Sequence, residues 1–328
     1  MSNGSKPPKK HHYIPVSYLS NFTNDGTDRS QLWVFDQSSG NQWQSRPKKI
    51  AYENDFHTIE TVDGKDSKTF EEAFSMVEGN AKQIINEIIQ TFKIPTIGSE
   101  EYNWLINFIA LLSERTPARR HHFDKAMADV FKMASRVGFQ NKSYFESQKK
   151  KIEEKTGKSF DLSYEQLNKL INEDGFEISF HNNFHMENFM ARFDAIIEPL
   201  AHRKWSLCIA PPMYGDFVCS DNPVCLRNIL PVKGILGSPG HGVLNTEVSI
   251  PLNPKVMLLG RFEDDLPPVG WAPSRRFVAQ MNSWTAMYAE RYVFSKKKDF
   301  LWWSDQGKVC TTEDFKRRLE HEKQPKFD

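Results

Sequence analysis

The stretch EYNWLINFIALLSERTP, residues 101–117, carries apolar side chains around almost the whole circumference of a helix until Glu114. Trp104, Leu105, Ile106, Phe108, Ile109, Leu111 and Leu112 leave no broad polar face, and a helix of that kind is buried rather than laid on a surface. Its end is written into Arg115-Thr116-Pro117, because proline disfavours the α conformation of the residue before it and lacks a backbone N–H. The segment therefore reads as the central helix of a core, over Glu101 to Glu114, with a break near Thr116 before helix resumes towards Met133.

Outward from this helix the pattern divides. Upstream, Phe70, Phe74, Val77, Ile84, Ile85, Ile88 and Ile89 recur at three- and four-residue steps and predict an amphipathic helix over Thr69 to Phe92. Before it, Met1 to Lys10 reads as a flexible arm. His11-His12-Tyr13-Ile14-Pro15 then leads into a short helix carrying Tyr18, Leu19 and Phe22. Gln31 to Asp36 and Gln42 to Gln44 flank the turn Ser38-Ser39-Gly40-Asn41 as a hairpin, and Asp55 to Ile59 reads as a third strand. Downstream, helices are expected over Ser143–Glu154, Ser163–Asn172 and Asn183–His202. After Trp205 short strand-like runs alternate with Pro211-Pro212, Asn222-Pro223 and Asn253-Pro254, followed by a helix over Arg276–Glu290 and a strand at Tyr292-Val293-Phe294. The expectation is a single α+β domain over residues 11–311. It has a small N-terminal β element, a helical region over about 68–203 and a β-rich half over about 204–311, with a charged helix and tail at 312–328.

Composition narrows the function classes. Lys and Arg number 43 against 42 Asp and Glu, a net charge of +1, so no global field draws the chain to a polyanion. A nucleic acid or nucleotide partner would need a local basic patch. No apolar run approaches membrane-spanning length and no apolar segment follows the basic start, so a cytoplasmic protein without membrane association is expected. Cys208, Cys219, Cys225 and Cys310 show no C-x-x-C spacing and read as free, buried thiols. Phosphate-loop, dinucleotide-loop and nucleophile-elbow frames are all missing, which weighs against ATPase, dehydrogenase and serine hydrolase readings.

Several residues carry potential chemistry. Adjacent residues of an extended segment point to opposite sides, so one of His11 and His12 enters a site while the other packs or meets solvent. A neutral imidazole offers a lone pair near neutral pH, for a general base or a metal ion; the plainer role is a hydrogen bond to nearby backbone. Arg115 and Arg119, with Arg120 beside them, suit a phosphate or carboxylate, or else Arg115 pairs with Glu114 or Glu101. Asp221 and Asn222 stand in a turn rigidified by Pro223, equally a platform for catalytic groups or an ordinary Asx-turn. Glu71 and Glu78 share a helix face, which surface charge alone also explains. His181 and His185 have the spacing of a helical metal pair without its accompanying frame.

Taken together, His11-His12-Tyr13-Ile14-Pro15 with Tyr18, Leu19 and Phe22, Arg115-Thr116-Pro117 with Arg119, and Trp205 resemble the domain-of-unknown-function 4238 family, found mainly in bacteria. So do Phe217 with Ser220-Asp221-Asn222-Pro223-Val224, Pro251-Leu252-Asn253-Pro254, and Asn282. The likeness runs from His11 to Phe294 and departs most over Ser143 to Gly175. It implies that the recurring polar positions are His11, His12, Arg115, Arg119, Asp221, Asn222 and Asn282, and it names no reaction. The expected function is a metal-dependent phosphodiester hydrolase or nuclease. Asp221 and His12 would hold Mg²⁺ or Mn²⁺, the arginines would neutralise phosphate, and Arg120 and Asn282 would contact substrate. The alternative is a non-catalytic ligand-binding or interaction protein whose polar cluster is structural.

Overall fold

A computed structural model describes residues 10–62, 64–173, 175–230, 239–315 and 317. The chain divides into two compact units, one formed by the residues up to Ala118 and from Asn182 onward, the other by Arg119–His181.

The first unit opens with β1 (Lys10–His12), α1 (Val16–Ser20), the hairpin β2 (Leu32–Asp36) and β3 (Gln42–Ser45), then β4 (Tyr52–Asn54), β5 (Ile59–Thr61) and β6 (Gly64–Asp66). The strand expected over Asp55–Ile59 is instead a turn: Asp55 takes a left-handed φ of 55° and its carbonyl accepts the Thr58 N–H at 3.1 Å. Helix α2 (Thr69–Thr91) runs through Gly79 without a break, and α3 (Glu100–Glu114) follows. Ser99 caps α3 by accepting the Tyr102 N–H, and the helix ends at Arg115-Thr116 as its proline dictates. In α3, Leu105, Ile106, Phe108, Ile109 and Leu112 are buried in one continuous core with Ile84, Ile85 and Ile88 of α2, while Leu111 is buried in a separate cluster with Phe74, Met186 and Phe189.

The second unit holds most of α4 (Pro117–Gly138), with α5 (Lys142–Thr156) and α6 (Tyr164–Asn172). Asn141 caps α5, and Ser163 with Gln166 forms a reciprocal capping box at α6. The chain returns to the first unit with α7 (Asn182–Ala201), so His181 precedes this helix and His185 lies within it. They are not an i, i+4 pair on one helix.

The β-rich half contributes β7 (Lys204–Ile209), β8 (Cys219–Ser220), β9 (Cys225–Asn228), β10 (Thr246–Asn253), β11 (Val256–Arg261) and β12 (Val269–Trp271). Helix α8 (Arg275–Tyr288), β13 (Tyr292–Ser295), β14 (Trp302–Trp303) and β15 (Val309–Cys310) complete it. A five-stranded sheet has the order β12-β7-β11-β10-β9, antiparallel except for the β12–β7 edge, and a four-stranded sheet has the order β3-β2-β13-β8. Strand β10 is buried from Thr246 to Leu252, as a central strand covered on both faces must be. It also anchors the start of the chain: the Tyr18 hydroxyl donates to the Pro251 carbonyl at 2.5 Å and the Asn21 amide to Leu252 at 3.1 Å. The fold is thus α+β, with helices in the middle of the chain and strands towards both ends. The expected arm lies outside the described residues except for Lys10, which opens β1, and so does most of the expected C-terminal tail beyond Thr312. All four cysteines are free; Cys310 is only half-buried.

Candidate functional site

Strand β1 pairs antiparallel with β4, placing His11 opposite Glu53 and His12 opposite Tyr52. Alternation turns the two rings apart, as expected. His11 is fully buried, and its Nδ1 accepts the backbone N–H of His57 at 2.8 Å. Because an N–H can only donate, that nitrogen holds a lone pair. The turn at Asp55 is what delivers His57 to this spot. Its ring stacks on His11 at 5.4 Å between centroids and meets Phe74 edge-on at 4.9 Å, and its Nδ1 lies 2.7 Å from Glu71 Oε1 on the first turn of α2.

His11, His57 and Glu71 therefore bring three potential ligand atoms within 4.8 Å of one another, with His11 Nδ1 at 3.8 Å from Glu71. Burial dominates the His57 titration and pushes its pKa down to about 4, outweighing the nearby carboxylate, so the ring is neutral near pH 7. Burial works to raise the Glu71 carboxyl, but the His57 hydrogen bond, helped by the charge of Arg115, holds it below its ordinary value. An ionised Glu71 accepts a hydrogen from His57 Nδ1, which leaves the lone pair on His57 Nε2. That atom is buried and has no hydrogen-bond partner among the described residues.

Two turns along the same face of α2, Glu78 accepts from Arg115 at 2.6 Å. Arg115 is itself 3% exposed; its Nε donates to the Tyr13 carbonyl at 2.9 Å, and its remaining amino group is buried without a partner. His12 turns to the other side of β1 and lines a cleft of about 510 Å³ together with Glu71, Ser75 and Glu78 from α2, Ser17 and Ser20 from α1 and Asn21 at its C-terminal cap. Burial lowers the His12 pKa, partly offset by a hydrogen bond to the Lys48 backbone, and Arg115 lowers it further. His12 Nε2 is a second buried imidazole nitrogen without a partner among the described residues.

The Ser-Asp-Asn-Pro turn does different work. Asp221 is almost fully buried and accepts three backbone N–H groups, from Glu290 on one oxygen and from Arg291 and Tyr292 on the other, each at 2.8 Å. Asn222 accepts from the Thr116 hydroxyl at 3.2 Å and donates to the Tyr288 carbonyl at 2.8 Å. Asn282 accepts the Val218 N–H and donates to the carbonyls of Asp216 and Leu301. The break after α3 thus reaches the residue that follows β1 through Arg115, and the turn through Thr116.

The group gathered by the fold is nevertheless His11 with His57 and Glu71, rather than His12 with Asp221. Asp221 spends its oxygens on the chain entering β13. Arg119 and Arg120 belong to the second unit, on α4, whereas the cleft is built from the first. His57, Glu71 and Glu78 are the members that sequence reading does not select. The glutamates have a signal, their seven-residue spacing on a helix with an apolar opposite face; His57 has none, because it sits in a turn read as strand.

Fold and site together define an α+β protein with a buried histidine–glutamate cluster at the wall of a polar cleft. The chain belongs to the family described as "Protein of unknown function (DUF4238)", whose model matches residues 10–299 and so takes in every residue of this cluster. Neither the curated proteins nor the solved structures gave a match. Among the described residues no helix is long and apolar enough to cross a membrane.

Proposed function

We propose that the cleft is the active site of a phosphodiester hydrolase acting, with a divalent cation, on nucleic acid or a nucleotide. The observation that carries this reading is a pair of buried polar atoms with no partner among the described residues: His12 Nε2 at the cleft, which offers a lone pair, and, behind the cleft-lining Glu78, the third nitrogen of Arg115, which offers hydrogens. Buried polar atoms are almost always paired, and leaving one unpaired costs about 1–3 kcal/mol, so a site that tolerates two of them is shaped for a ligand. His12 takes a proton from water as its oxygen attacks phosphorus, and the bond to the leaving oxygen breaks. Arg115 faces the charge gathering on the phosphoryl oxygens. The cation offsets Glu71 and Glu78, which otherwise repel a phosphate.

The test is hydrolysis of single- and double-stranded DNA, RNA, cyclic nucleotides and bis(p-nitrophenyl) phosphate, with Mg²⁺ or Mn²⁺. His12→Ala is expected to lower kcat by roughly 100-fold or more while leaving the fold intact. Absence of cation-dependent turnover by the unaltered chain on all of these substrates overturns the proposal.

A second reading is favoured by the bonding of Asp221, Asn222 and Asn282, all engaged with backbone. In it the cleft binds a ligand without turning it over and the polar network serves the architecture. Ligand-induced stabilisation with no product formed supports that reading.

A further inference from the structure

We infer that His11, His57 and Glu71 bind one divalent transition-metal ion, of the zinc or manganese kind, at the inner wall of the cleft. This names the cation of the site proposed above and rests on that reading only for the ion's use, not for its binding. The donor set is two imidazole nitrogens and one carboxylate oxygen within 4.8 Å of one another, close to the span that three ligands around one ion require. Imidazole suits zinc and iron, and carboxylate suits manganese, so the mixed set accepts either kind, whereas Mg²⁺ prefers an all-oxygen shell with several waters. The Mg²⁺ preference that an Asp-centred site would carry is therefore not the one this cluster implies.

The surroundings favour a cation. Glu71 and Glu78 bring two negative charges against the positive charge of Arg115, which Glu78 already pairs, and the rest of the cleft's lining adds one charge of each sign, Asp28 and Lys82. Both rings are also held in place before any ion arrives: His11 by the His57 backbone N–H, and His57 between Phe56 and Phe74. Glu71 lines the cleft, so water or substrate reaches the ion's remaining positions from that side.

Two rearrangements are needed, one at each imidazole. His57 Nδ1 now faces Glu71 at 2.7 Å through a hydrogen. An ion seated between them takes that hydrogen's place, and the hydrogen moves to Nε2, which is buried and has no partner among the described residues. The ring stays neutral and no proton is released. The bond from the His57 backbone N–H to His11 Nδ1 competes with the ion for the same lone pair, so affinity is moderate rather than that of a structural zinc site.

The experiment is isothermal titration of the full chain, stripped of metal with EDTA and dialysed, with Zn²⁺, Mn²⁺ and Mg²⁺ and no substrate present. One equivalent of Zn²⁺ or Mn²⁺ is expected to bind at least tenfold more tightly than Mg²⁺. Glu71→Gln, at a position about a quarter exposed and nearly the same shape, is expected to weaken binding tenfold or more, and His57→Gln to do the same; circular dichroism reports that each is folded. Asp221→Asn is expected to leave the affinity of its folded fraction unchanged. No stoichiometric binding by the unaltered chain, or binding unaffected in folded Glu71→Gln, overturns the assignment. A chain that binds zinc yet hydrolyses none of the phosphodiesters keeps this site and loses the hydrolase, whereas cation-dependent hydrolysis unaffected by Glu71→Gln does the reverse.

Discussion

Asp221 illustrates how little a motif says about the work its residues do. Its two oxygens hold three backbone N–H groups at the entry to β13, the first of them 69 residues along the chain. An amide in the same place presents N–H groups to donors. Asp221→Asn is therefore expected to destabilise the fold by about 3 kcal/mol, read as a lowered midpoint in urea with an unchanged slope. A variant as stable as the parent removes the anchoring role. Sequence reading finds the turn, because Pro223 and the flanking apolar runs are local signals; it leaves the role of Asp221 open between catalysis and an Asx-turn. The partners that decide the matter belong to a distant segment, and no local pattern encodes them. Glu78 makes the complementary case. Removing its carboxylate strands the Arg115 guanidinium, which is buried while Glu78 is about a quarter exposed. Glu78→Ala is expected to cost about 2–3 kcal/mol, less than the roughly 3–5 kcal/mol of a fully buried pair, because water reaches one side of it. A loss below about 0.5 kcal/mol would show that solvent satisfies Arg115 instead.

At the scale of elements the long helices are legible and the short connections are not. Helices α2 and α3 announce themselves through period, cap and proline, and their observed ends agree with those signals to within a residue or so. Ser99→Ala removes the hydroxyl that accepts the Tyr102 N–H and is expected to cost about 1 kcal/mol by thermal or urea unfolding. The segment from Asp55 to Ile59 misleads because its apolar and aromatic residues imitate a strand, while the left-handed Asp55 that makes the turn leaves no mark that distinguishes it from an ordinary aspartate. That one error hides His57, and with it the centre of the site. In the β-rich half the closest packing is between neighbouring strands: a Cβ added at Gly260 of β11 would stand 2.6–2.9 Å from three atoms of the Trp205 ring on β7. Gly260→Ala is expected to destabilise by about 2 kcal/mol, since the indole is enclosed and has to shift. Gly260→Ala at parental stability would mean that Trp205 yields freely.

For the whole first unit, the five-stranded sheet and the helices of its core fix the start of the chain, through Tyr18 and Asn21 on β10, and so fix where His11 and His12 point. The fold then separates two polar systems that the sequence presents as one. Asp221, Asn222 and Asn282 tie strands and loops together, while His12, Glu71 and Glu78 line the cleft, and His12, His57 and Arg115 each hold a buried nitrogen with no partner among the described residues. The near-zero net charge is compatible with this arrangement, because the chemistry is set by a local cluster and not by a field over the surface. The most direct measurement compares Glu71→Gln with Asp221→Asn in one series, recording cation-dependent hydrolysis per folded molecule alongside the urea midpoint. The account predicts that Glu71→Gln loses activity at nearly parental stability and that Asp221→Asn loses stability while its folded fraction keeps its activity. The opposite pattern, an active Glu71→Gln beside a stable and inactive Asp221→Asn, contradicts it.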